Sequence, residues 1–374
     1  AKQTGKNRYH LFDPEEDRQT QAQRRSIGDI EQALERGEFE LYYQPKVNMR
    51  TGAVVGAEAL IRWRHRERGL VPPGEFLPLI DGNDLPVRVG EWVLDSALRQ
   101  MTAWRAEGLD LAVSVNIAAY HLQQKDFLSR LRKILSTHDT VPPEKLELEV
   151  VESAALEGIA QISHLIEGCR ALGVQFSLDD FGTGYSSLTY LPRLPASVLK
   201  IDQSFVRDML WDSEDLAIVE GVIGLAAAFR RVVIAEGVET AEHGELLLRL
   251  GCDLAQGYGI ARPMPASELP GWIAHWRPDP AWTSSRNMSA TRDDLPITYA
   301  EVDHRNWVKC LEDYLSGTDA SPPPLGTDQC RFVSWYVGEG HEHYARFDEF
   351  QCIRAMHEAV HELGRELVAQ RQAG

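Results

Sequence analysis

The apolar residues of this chain gather in eight short runs rich in Val, Ile and Leu, and segments with helical periodicity lie between most of them. The clearest helical segments cover residues 85–108 and 215–231. Strands that alternate with helices predict a parallel sheet, and eight strands over roughly 240 residues predict an α/β fold, a (β/α)8 barrel of the triosephosphate isomerase type. The runs cover residues 38–47, 52–63, 111–118, 145–153, 174–180, 196–205, 231–239 and 252–260.

The first two runs depart from this repeat. Only residues 48–52 join them, and a crossover between parallel strands needs about a dozen residues or more. These two strands must therefore pair antiparallel, so the predicted barrel is not a pure eightfold repeat.

The runs lead to polar side chains, and the run at residues 174–180 ends in the adjacent Asp179 and Asp180. Two neighbouring carboxylates repel unless a cation lies between them, and hard oxygen ligands suit Mg²⁺ or Mn²⁺. In this type of barrel, functional side chains lie at the carboxyl ends of the strands. Taken singly, a strand-end carboxylate is ordinarily a helix cap or a surface group. The other candidates are Glu58, Asn116, Glu149, Glu152, Lys200, Asp202, Glu236, Glu239 and Gln256.

Seven motifs resemble those of a known family. The tripeptide Glu58-Ala59-Leu60 lies within AEALIRW, and SVN, LELEVVES, DDFGTGYSSL, LKID, AEGVE and AQGYGIARPMP follow in order. From about residue 24 to residue 275 the chain resembles the EAL-domain phosphodiesterases. The resemblance implies hydrolysis of one phosphodiester bond of cyclic di-GMP, with release of linear pGpG, by two Mg²⁺ or Mn²⁺ ions that clamp the attack of water on phosphorus.

The resemblance also implies a role for each strand-end residue. The implied ligands of one metal are Glu58, Asn116, Glu149 and Asp179. The second metal shares Asp179 and adds Asp180, while Glu236 and Gln256 hold metal-bound waters. Lys200 supplies positive charge near the attacking water or the developing oxyanion. Either Lys200 or Glu236 could assist proton removal, and the sequence does not decide between them.

Further positions match the family around these ligands. Glu152 and Glu239 either anchor the loop after Asp180 or act as ligands themselves. Gly182 and Gly184 make that loop either a mobile coupler of metal binding to dimer contacts or an ordinary turn. The implied contacts with the dinucleotide are Gln44, Leu60, Arg62, Asp202 and Arg262. Val151 stands where the family often has Thr, and a buried valine there would suit the strand.

Composition restricts the partners and the setting. A net charge of −17 argues against non-specific binding to a DNA or RNA polymer and against an anionic membrane surface. The sequence has no run of eighteen apolar residues and no signal peptide. Its five cysteines form no dense framework, so a reduced, cytoplasmic setting is expected. The family resemblance adds the expectation of a homodimer.

The regions around the predicted barrel at residues 23–275 differ in character. Residues 1–22 resemble the closing segment of a GGDEF, or diguanylate cyclase, domain, which predicts that the chain is part of a longer protein; a disordered polar tail is the alternative. Residues 276–296 are rich in Pro, Ser, Thr and charge and are predicted to be a linker. Residues 297–374 are predicted to form an all-α helical bundle.

The predicted bundle contains a candidate zinc site. His357 and His361 are four residues apart on a predicted helix, which puts them on one face as half of a divalent-metal site. Cys330 and His304 could complete a tetrahedral site. The region resembles the chemoreceptor zinc-binding, or CZB, domain in three features: His304 with Trp307, Cys330 followed by Trp335, and the His-x₃-His pair. Surface histidines and a core cysteine are the alternative.

Three residues near this site either differ from the CZB pattern or lie outside it. Val333 stands where the family commonly has Gly, a change that could alter the turn beside the cysteine but removes no ligand. His341 and His343 lie outside the pattern and are expected to face solvent.

Three functions follow from these patterns. The leading hypothesis is an active cyclic di-GMP phosphodiesterase with a zinc-sensing domain. A catalytically idle receptor for cyclic di-GMP is the second, although such receptors usually lose metal-ligand carboxylates and none is lost here. A zinc-responsive dimerisation scaffold is the third.

Overall fold

The computed structural model of this chain describes residues 26–80, 84–156, 159–184, 190–284, 295–326 and 330–373. The segment predicted to resemble the end of a GGDEF domain, residues 1–22, lies outside the described residues. Residues 285–294 of the predicted linker also lie outside them.

Eight strands close into a barrel. Neighbours from β2 to β9 pair parallel, while β1 pairs antiparallel with both β2 and β9 and so closes the ring. This confirms the predicted α/β barrel with an antiparallel first pair, and each predicted run contains one strand. The ring consists of β1 Phe39–Asn48, β2 Val54–His65, β4 Val113–Asn116, β5 Leu146–Val151, β6 Gln175–Phe181, β7 Val198–Ile201, β8 Val232–Ala235 and β9 Leu254–Ala255.

Two short strands extend the sheet beyond the ring. β3 (Gly69–Val71) continues from β2, and β10 (Met264–Pro265) pairs with β1. Neither was predicted, because two or three residues carry no readable alternation.

The β1–β2 hairpin sets the level of the polar side chains. Its register places Gln44 opposite Glu58 and Lys46 opposite Gly56. Because successive side chains of a strand point to opposite faces, Gln44 and Lys46 both point into the barrel. Glu58 therefore enters the barrel at the same level as Gln44.

Helices cover the outside of the barrel. The two helical segments read from periodicity are confirmed as α2 and α8, and both bury apolar faces against the strands. The first helix, α1, runs through residues 26–36. The others are α2 Leu85–Ala106, α3 Ala119–Leu122, α4 Phe127–Thr137, α5 Glu152–Leu156, α6 Ile159–Ala171, α7 Gln203–Asp208, α8 Ser213–Ala228, α9 Ala241–Leu250, α10 Leu269–His275 and α11 Pro280–Ser284.

The described part of the predicted linker packs on the barrel. Trp282, on α11, is buried, and its indole nitrogen donates to the carbonyl oxygen of Ala241 at 2.8 Å. The ring fills a hollow at Gly244, where an added Cβ would lie 2.3 Å from that nitrogen. Residues 276–284 were predicted from their composition to belong to a linker. In the structure this segment instead packs against the barrel through Trp282.

The C-terminal region is entirely helical or loop in its described residues, in agreement with the predicted all-α bundle. Trp307 on the first helix packs where Gly364 of the last helix carries no side chain, since a Cβ there would lie 2.4 Å from the indole ring. Residues 321–326, which include three consecutive prolines, form no helix. The helices are α12 Leu295–Ser316, α13 Arg331–Val337, α14 Glu339–Tyr344 and α15 Asp348–Ala373.

Helix α12 packs on both halves of the molecule. Val302 joins the barrel's hydrophobic core, whereas Leu311 is buried against α15 together with Val368. The Tyr299 hydroxyl donates to Glu220 on α8 at 2.5 Å. Across the described parts of the chain, no helix is both long and apolar enough to cross a bilayer.

Candidate metal centres

The carboxyl ends of the barrel strands meet around a single ammonium group. Lys200, on β7, is completely buried, and its Nζ lies within ion-pair distance of four carboxylates. The distances are 2.5 Å to Glu149 Oε2, 2.6 Å to Glu236 Oε1, 3.0 Å to Asp179 Oδ1 and 3.5 Å to Glu58 Oε2. The side chains that the sequence placed at strand ends are therefore neighbours in space.

The charge state of Lys200 follows from these contacts. Burial lowers the pKa of Lys200, but the attraction of Glu149, Glu236 and the other carboxylates outweighs burial and raises the pKa well above its ordinary value. Lys200 is therefore a cation at neutral pH and holds no lone pair with which to take a proton.

Two amides organise Glu58. Asn116 Nδ2 donates to Glu58 Oε1 at 2.7 Å, and Gln256 Nε2 donates to Glu58 Oε2 at 2.6 Å. Gln256 also approaches Gln44 Oε1 at 3.4 Å. The Oε1 atom of Gln256 is buried and has no hydrogen-bond partner among the described residues. The Gln256 amide oxygen is thus left to bind a cation or its water.

A lysine that the sequence analysis did not select lies below this ring. Lys46 Nζ donates to Glu149 Oε1 at 2.7 Å and to Glu147 Oε1 at 2.9 Å. Burial raises the pKa of Glu149, but Lys200 and Lys46 outweigh it and hold that pKa well below the ordinary value. The signal was present in the sequence: Lys46 lies two residues after Gln44 and so points to the same face of β1.

The adjacent aspartates lie where the chain turns out of β6. Asp180 has φ of 53°, in the left-handed region that few residues other than glycine adopt, and its amide donates to Asp179 Oδ1 at 3.0 Å. Asp179, Asp180 and Glu236 can bring one oxygen each within 4.8 Å of one another. The backbone conformation therefore aims both carboxylates at one place.

Crowding of these carboxylates makes some of them hold their protons. Burial, together with Asp179 and Asp202, raises the pKa of Asp180 to about 6. Burial also raises the pKa of Glu236 to about 8, although Lys200 opposes this. Burial and the neighbouring Glu149 raise the pKa of Glu58. The cluster holds more negative groups than Lys200 and Lys46 can neutralise.

This donor set fits divalent cations. It consists of carboxylate and amide oxygens, which are the ligands that Mg²⁺ and Mn²⁺ prefer. The raised pKa values of Asp180 and Glu236 are what an excess of negative charge produces, and the buried Gln256 Oε1, which has no partner among the described residues, is free to accept from a metal-bound water. Added cations would offset that negative charge.

Glu152 supports the loop that follows Asp180. It is completely buried at the start of α5, and its carboxylate accepts from the Gly182 amide at 3.0 Å and from the Tyr190 hydroxyl. Gly182 has φ of 105°, a conformation that favours glycine. Gly184 lies beside the Glu152 carboxylate. The structure thus gives Glu152 the anchoring position, and residues 185–189 between these contacts lie outside the described part.

Two cavities flank the carboxylate cluster. A polar cleft of about 370 Å³ is lined by Gln44, Glu58, Arg62, Glu236 and Glu239, among others. An apolar cavity of about 310 Å³ lies on the other side, between β2 and α2. Leu60 lines both. The cluster therefore lies between two adjoining spaces of different polarity.

The implied substrate contacts are not all in these spaces. Arg262 stacks on the Tyr258 ring, 4.3 Å from its centroid, and Tyr258 rather than Arg262 lines the polar cleft. Asp202 caps α7 by accepting from the Ser204 amide at 2.9 Å, and it lies beside Asp180.

Val151 is 37% exposed and lines the apolar cavity, so the expectation that it is buried was wrong. As the last residue of β5, it points out of the barrel end.

A second cluster lies in the C-terminal region. His304, Cys330, His357 and His361 can each bring one ligand atom within 4.8 Å of the others. Cys330 Sγ lies 3.6 Å from His304 Nε2 and 3.4 Å from His357 Nε2. His304 Nδ1 donates to the Ala300 carbonyl at 2.6 Å, which leaves Nε2 to face the cysteine.

The histidines of this cluster differ in protonation, because the hydrogen bond with Cys330 raises the pKa of His304, whose proton a metal would displace. Burial lowers the pKa of His357 to about 4 and also lowers that of His361, so both are neutral at pH 7. Burial raises the pKa of Cys330, but the hydrogen bond with His304 and backbone amides of α13 outweigh it and lower the pKa. Both ring nitrogens of His361 are buried without a partner among the described residues. Three histidines and one thiolate suit tetrahedral Zn²⁺.

The surroundings agree with the predicted pattern. His341 and His343 are exposed, as predicted, and take no part in the cluster. Val333 packs against the buried aromatic residues beside Cys330.

Two family models match the chain. The EAL domain matches residues 27–263, and the chemoreceptor zinc-binding domain matches residues 304–368.

Curated relatives and a solved structure resemble the barrel. The chain is 44% identical over 275 residues to the bifunctional diguanylate cyclase/cyclic di-GMP phosphodiesterase MucR of Pseudomonas aeruginosa, covering 73% of this chain and 40% of that protein. It is 38% identical over 257 residues to the cyclic di-GMP phosphodiesterase PA2567 of the same species, covering 68% and 44%. The chain thus spans less than half of either relative. The structure of the MucR phosphodiesterase in complex with c-di-GMP is 45% identical, with a TM-score of 0.63, and the match covers 66% of this chain and 99% of that one.

We expect Mn²⁺ to bind the barrel site at least about tenfold more tightly at pH 8 than at pH 6, because a metal must displace protons from carboxyls whose pKa values are raised. Glu236, with a pKa of about 8, holds its proton at pH 6, and Asp180, with a pKa of about 6, holds it half the time. Calorimetric titration in two buffers of different ionisation heat measures both the affinity and the protons released.

Glu144→Gln, at the opposite end of the barrel, is the matched control and should keep the full pH dependence. Equal affinity at both pH values, with no proton release, would contradict the charge state described for the cluster.

Proposed function

Because the chain belongs to the EAL-domain family, we propose that it hydrolyses cyclic di-GMP to linear pGpG with two divalent metal ions, and that zinc in its C-terminal region modulates this activity. The observation that carries the proposal is the convergence of four implied ligands on Lys200, with Asn116 and Gln256 bonded to Glu58 and Asp180 beside Asp179 and Glu236. An idle receptor would be expected to lack part of this ligand set, whereas this chain has it complete.

The ligand assignment follows the positions of the side chains. Mg²⁺ or Mn²⁺, when bound, would acidify the attacking water and stabilise charge on the phosphoryl oxygens. Glu58, Asn116, Glu149 and Asp179 would hold one ion. Asp179 and Asp180 would hold the other. Gln256 and Glu236 would orient water molecules.

The protein's own groups divide the remaining work. Lys200 acts as a fixed positive charge rather than as a base, because its neighbours keep it protonated. Glu236 Oε1 accepts from Lys200, and once bound cations displace the proton that its raised pKa retains, Oε2 would be left to take the proton of the attacking water. Of the two bases that the sequence left open, the structure therefore favours Glu236.

Two adjoining cavities suit a substrate with two nucleoside halves. One guanosine would occupy the polar cleft, where Arg62 and Gln44 offer donors to phosphate or a guanine edge. The other would occupy the apolar cavity, whose wall includes Ile61, Pro86 and Val89. The phosphodiester between them would then lie over the carboxylates.

Contacts of α12 support the proposed zinc control. This helix carries His304, and the next residue, Arg305, pairs with Glu242 of α9 at 3.1 Å and stacks over Trp211 at 5.4 Å. Lys309, one turn further on, also lies over Trp211. Trp211 precedes α8, and Glu242 lies in the first turn of α9.

This contact reaches elements that lead back to the catalytic residues. Helices α8 and α9 follow β7 and β8, and Lys200 lies on β7 while Glu236 immediately follows β8. Zinc that fixes the orientation of His304 would also fix the face of α12 that presses on these helices. The proposed path is therefore one rigid helix between the two sites.

The expected homodimer remains part of the proposal. An apolar stripe along α15, formed by Ile353, Met356, Val360 and Leu363, is 39–68% exposed, and residues at this spacing share one helix face. A second copy of the chain would cover it.

We expect the chain to convert cyclic di-GMP to pGpG in Mn²⁺ or Mg²⁺, and Glu58→Gln to lower turnover by about a hundredfold or more. Loss of a partner outside the ligand shell already costs about 10- to 100-fold, and Glu58 would be a ligand. Chromatography of the products measures the rate. Glu144→Gln should remain active. Tight binding of cyclic di-GMP without turnover by the wild-type chain would instead establish an idle receptor.

We expect zinc to change turnover of the wild-type chain by about fivefold or more, within the ordinary range of allosteric coupling. Arg305→Ala should still bind zinc but lose this response, because it breaks the contact of α12 with the barrel. Cys330→Ala should lose both zinc binding and the response of turnover to zinc. Zinc content is read by metal analysis, and oligomer size by light scattering.

Arg354→Ala, which removes an exposed pair on α15, is the matched control and should respond to zinc like the wild type. Zinc-dependent oligomer size with identical turnover would favour the dimerisation scaffold instead.

A further inference from the structure

Lys46 is a buried charged residue of the barrel to which the proposed chemistry gives no role. It lies on β1, is 4% exposed, and bonds to Glu149 Oε1 at 2.7 Å and Glu147 Oε1 at 2.9 Å. It lies opposite Gly56 of β2, and its two partners lie three strands away on β5. A buried lysine that spans the barrel costs desolvation energy, so its partner is informative.

The two oxygens of Glu149 have different partners. Oε1 accepts from Lys46 and Oε2 from Lys200, which also contacts Glu58 and Asp179. The Oε2 side therefore faces the other implied ligands, whereas Oε1 faces the barrel interior. A cation among the ligands would compete with Lys200 for Oε2 but would leave the bond between Lys46 and Oε1 in place.

We propose that Lys46 is a positioning residue that holds Glu149 by Oε1 from beneath, so that Glu149 presents Oε2 alone to the metal. This inference rests on the proposed function of the cluster. Lys46 touches no reacting atom, and it acts through Glu149 by preventing rotation of the carboxylate about its last side-chain bond. Partners of this kind, outside the metal ligands, typically change metal affinity by about 10- to 100-fold.

Glu147 is the second acidic partner of Lys46. Its carboxylate gives Lys46 a second anchor and offsets its charge, and its side chain is 17% exposed. Removal of Lys46 alone would leave Glu147 unpaired, which could destabilise the barrel for a reason unrelated to the metal. The double substitution Lys46→Met with Glu147→Gln avoids that unpaired charge.

The test uses Mn²⁺ alone, which prefers oxygen donors, with the full chain, and reads unbound Mn²⁺ by electron paramagnetic resonance. Lys46→Met and the double variant should both bind Mn²⁺ about tenfold more weakly than the wild type. Lys46→Arg, which keeps a cation, should recover part of the loss. At saturating Mn²⁺, kcat should fall while KM for cyclic di-GMP changes little.

Two controls separate positioning from folding. Glu147→Gln alone keeps the bond between Lys46 and Glu149 and should bind Mn²⁺ nearly as well as the wild type. Lys145→Met removes a lysine that pairs with Asp110 at the surface and should have no effect. Thermal melting identifies any variant that is poorly folded.

The possible results are distinguishable. A folded double variant with wild-type Mn²⁺ affinity would overturn the role of Lys46 and leave the proposed function intact. A wild-type chain that binds no Mn²⁺ would overturn the proposed metal centre itself, and with it this inference.

Discussion

The structure depends on burying a group of carboxylates around one ammonium. Four carboxylates lie within 3.5 Å of Lys200, and they come from β2, β5, β6 and the residue after β8. Like charges at such distances raise one another's pKa unless cations neutralise them, and Asp180 and Glu236 show that Lys200 is not enough. The cluster is therefore built to hold more positive charge than the protein supplies.

The surrounding features serve that requirement. The amides of Asn116 and Gln256 orient Glu58, Lys46 holds Glu149 from below, and the left-handed backbone at Asp180 turns a second aspartate toward the first. Such features cost stability in isolation, since buried charges and strained backbone are unfavourable. Their concentration at one end of the barrel agrees with a site whose geometry is set before metal and substrate arrive.

The C-terminal cluster also brings candidate metal ligands together, but with nitrogen and sulfur atoms in place of oxygen. Nitrogen and sulfur ligands on α12, α15 and the start of α13 meet in a partly apolar setting that keeps two histidines neutral. Because α12 also packs on α8, this helix joins the four-residue cluster to the barrel. The proposed zinc control depends on this shared helix.

The sequence predicted the barrel, its antiparallel pair and the strand-end residues, because short apolar runs, a short connection and polar residues at the ends of runs are local signals. Helical spacing predicted His357 and His361, the resemblance to the CZB domain added His304 and Cys330, and the four side chains lie together in the structure. It missed contacts that only tertiary structure creates, such as Trp282 in the hollow at Gly244 and Tyr190 on Glu152.

Two further differences came from reading single strands rather than the barrel as a whole. Lys46 looked like an ordinary strand residue because its partners lie on β5, far along the chain. Val151 was expected to be buried, but the last residue of a barrel strand opens onto the cavity at the barrel's end.

The most direct measurement is anomalous X-ray diffraction at the manganese edge from crystals grown with Mn²⁺ and cyclic di-GMP. The account predicts two manganese peaks among Glu58, Glu149, Asp179 and Asp180, with the scissile phosphate over them and the Lys200 ammonium moved away from Glu149 Oε2. Bound cyclic di-GMP with no manganese among these carboxylates, and Lys200 still paired with all four, would contradict it.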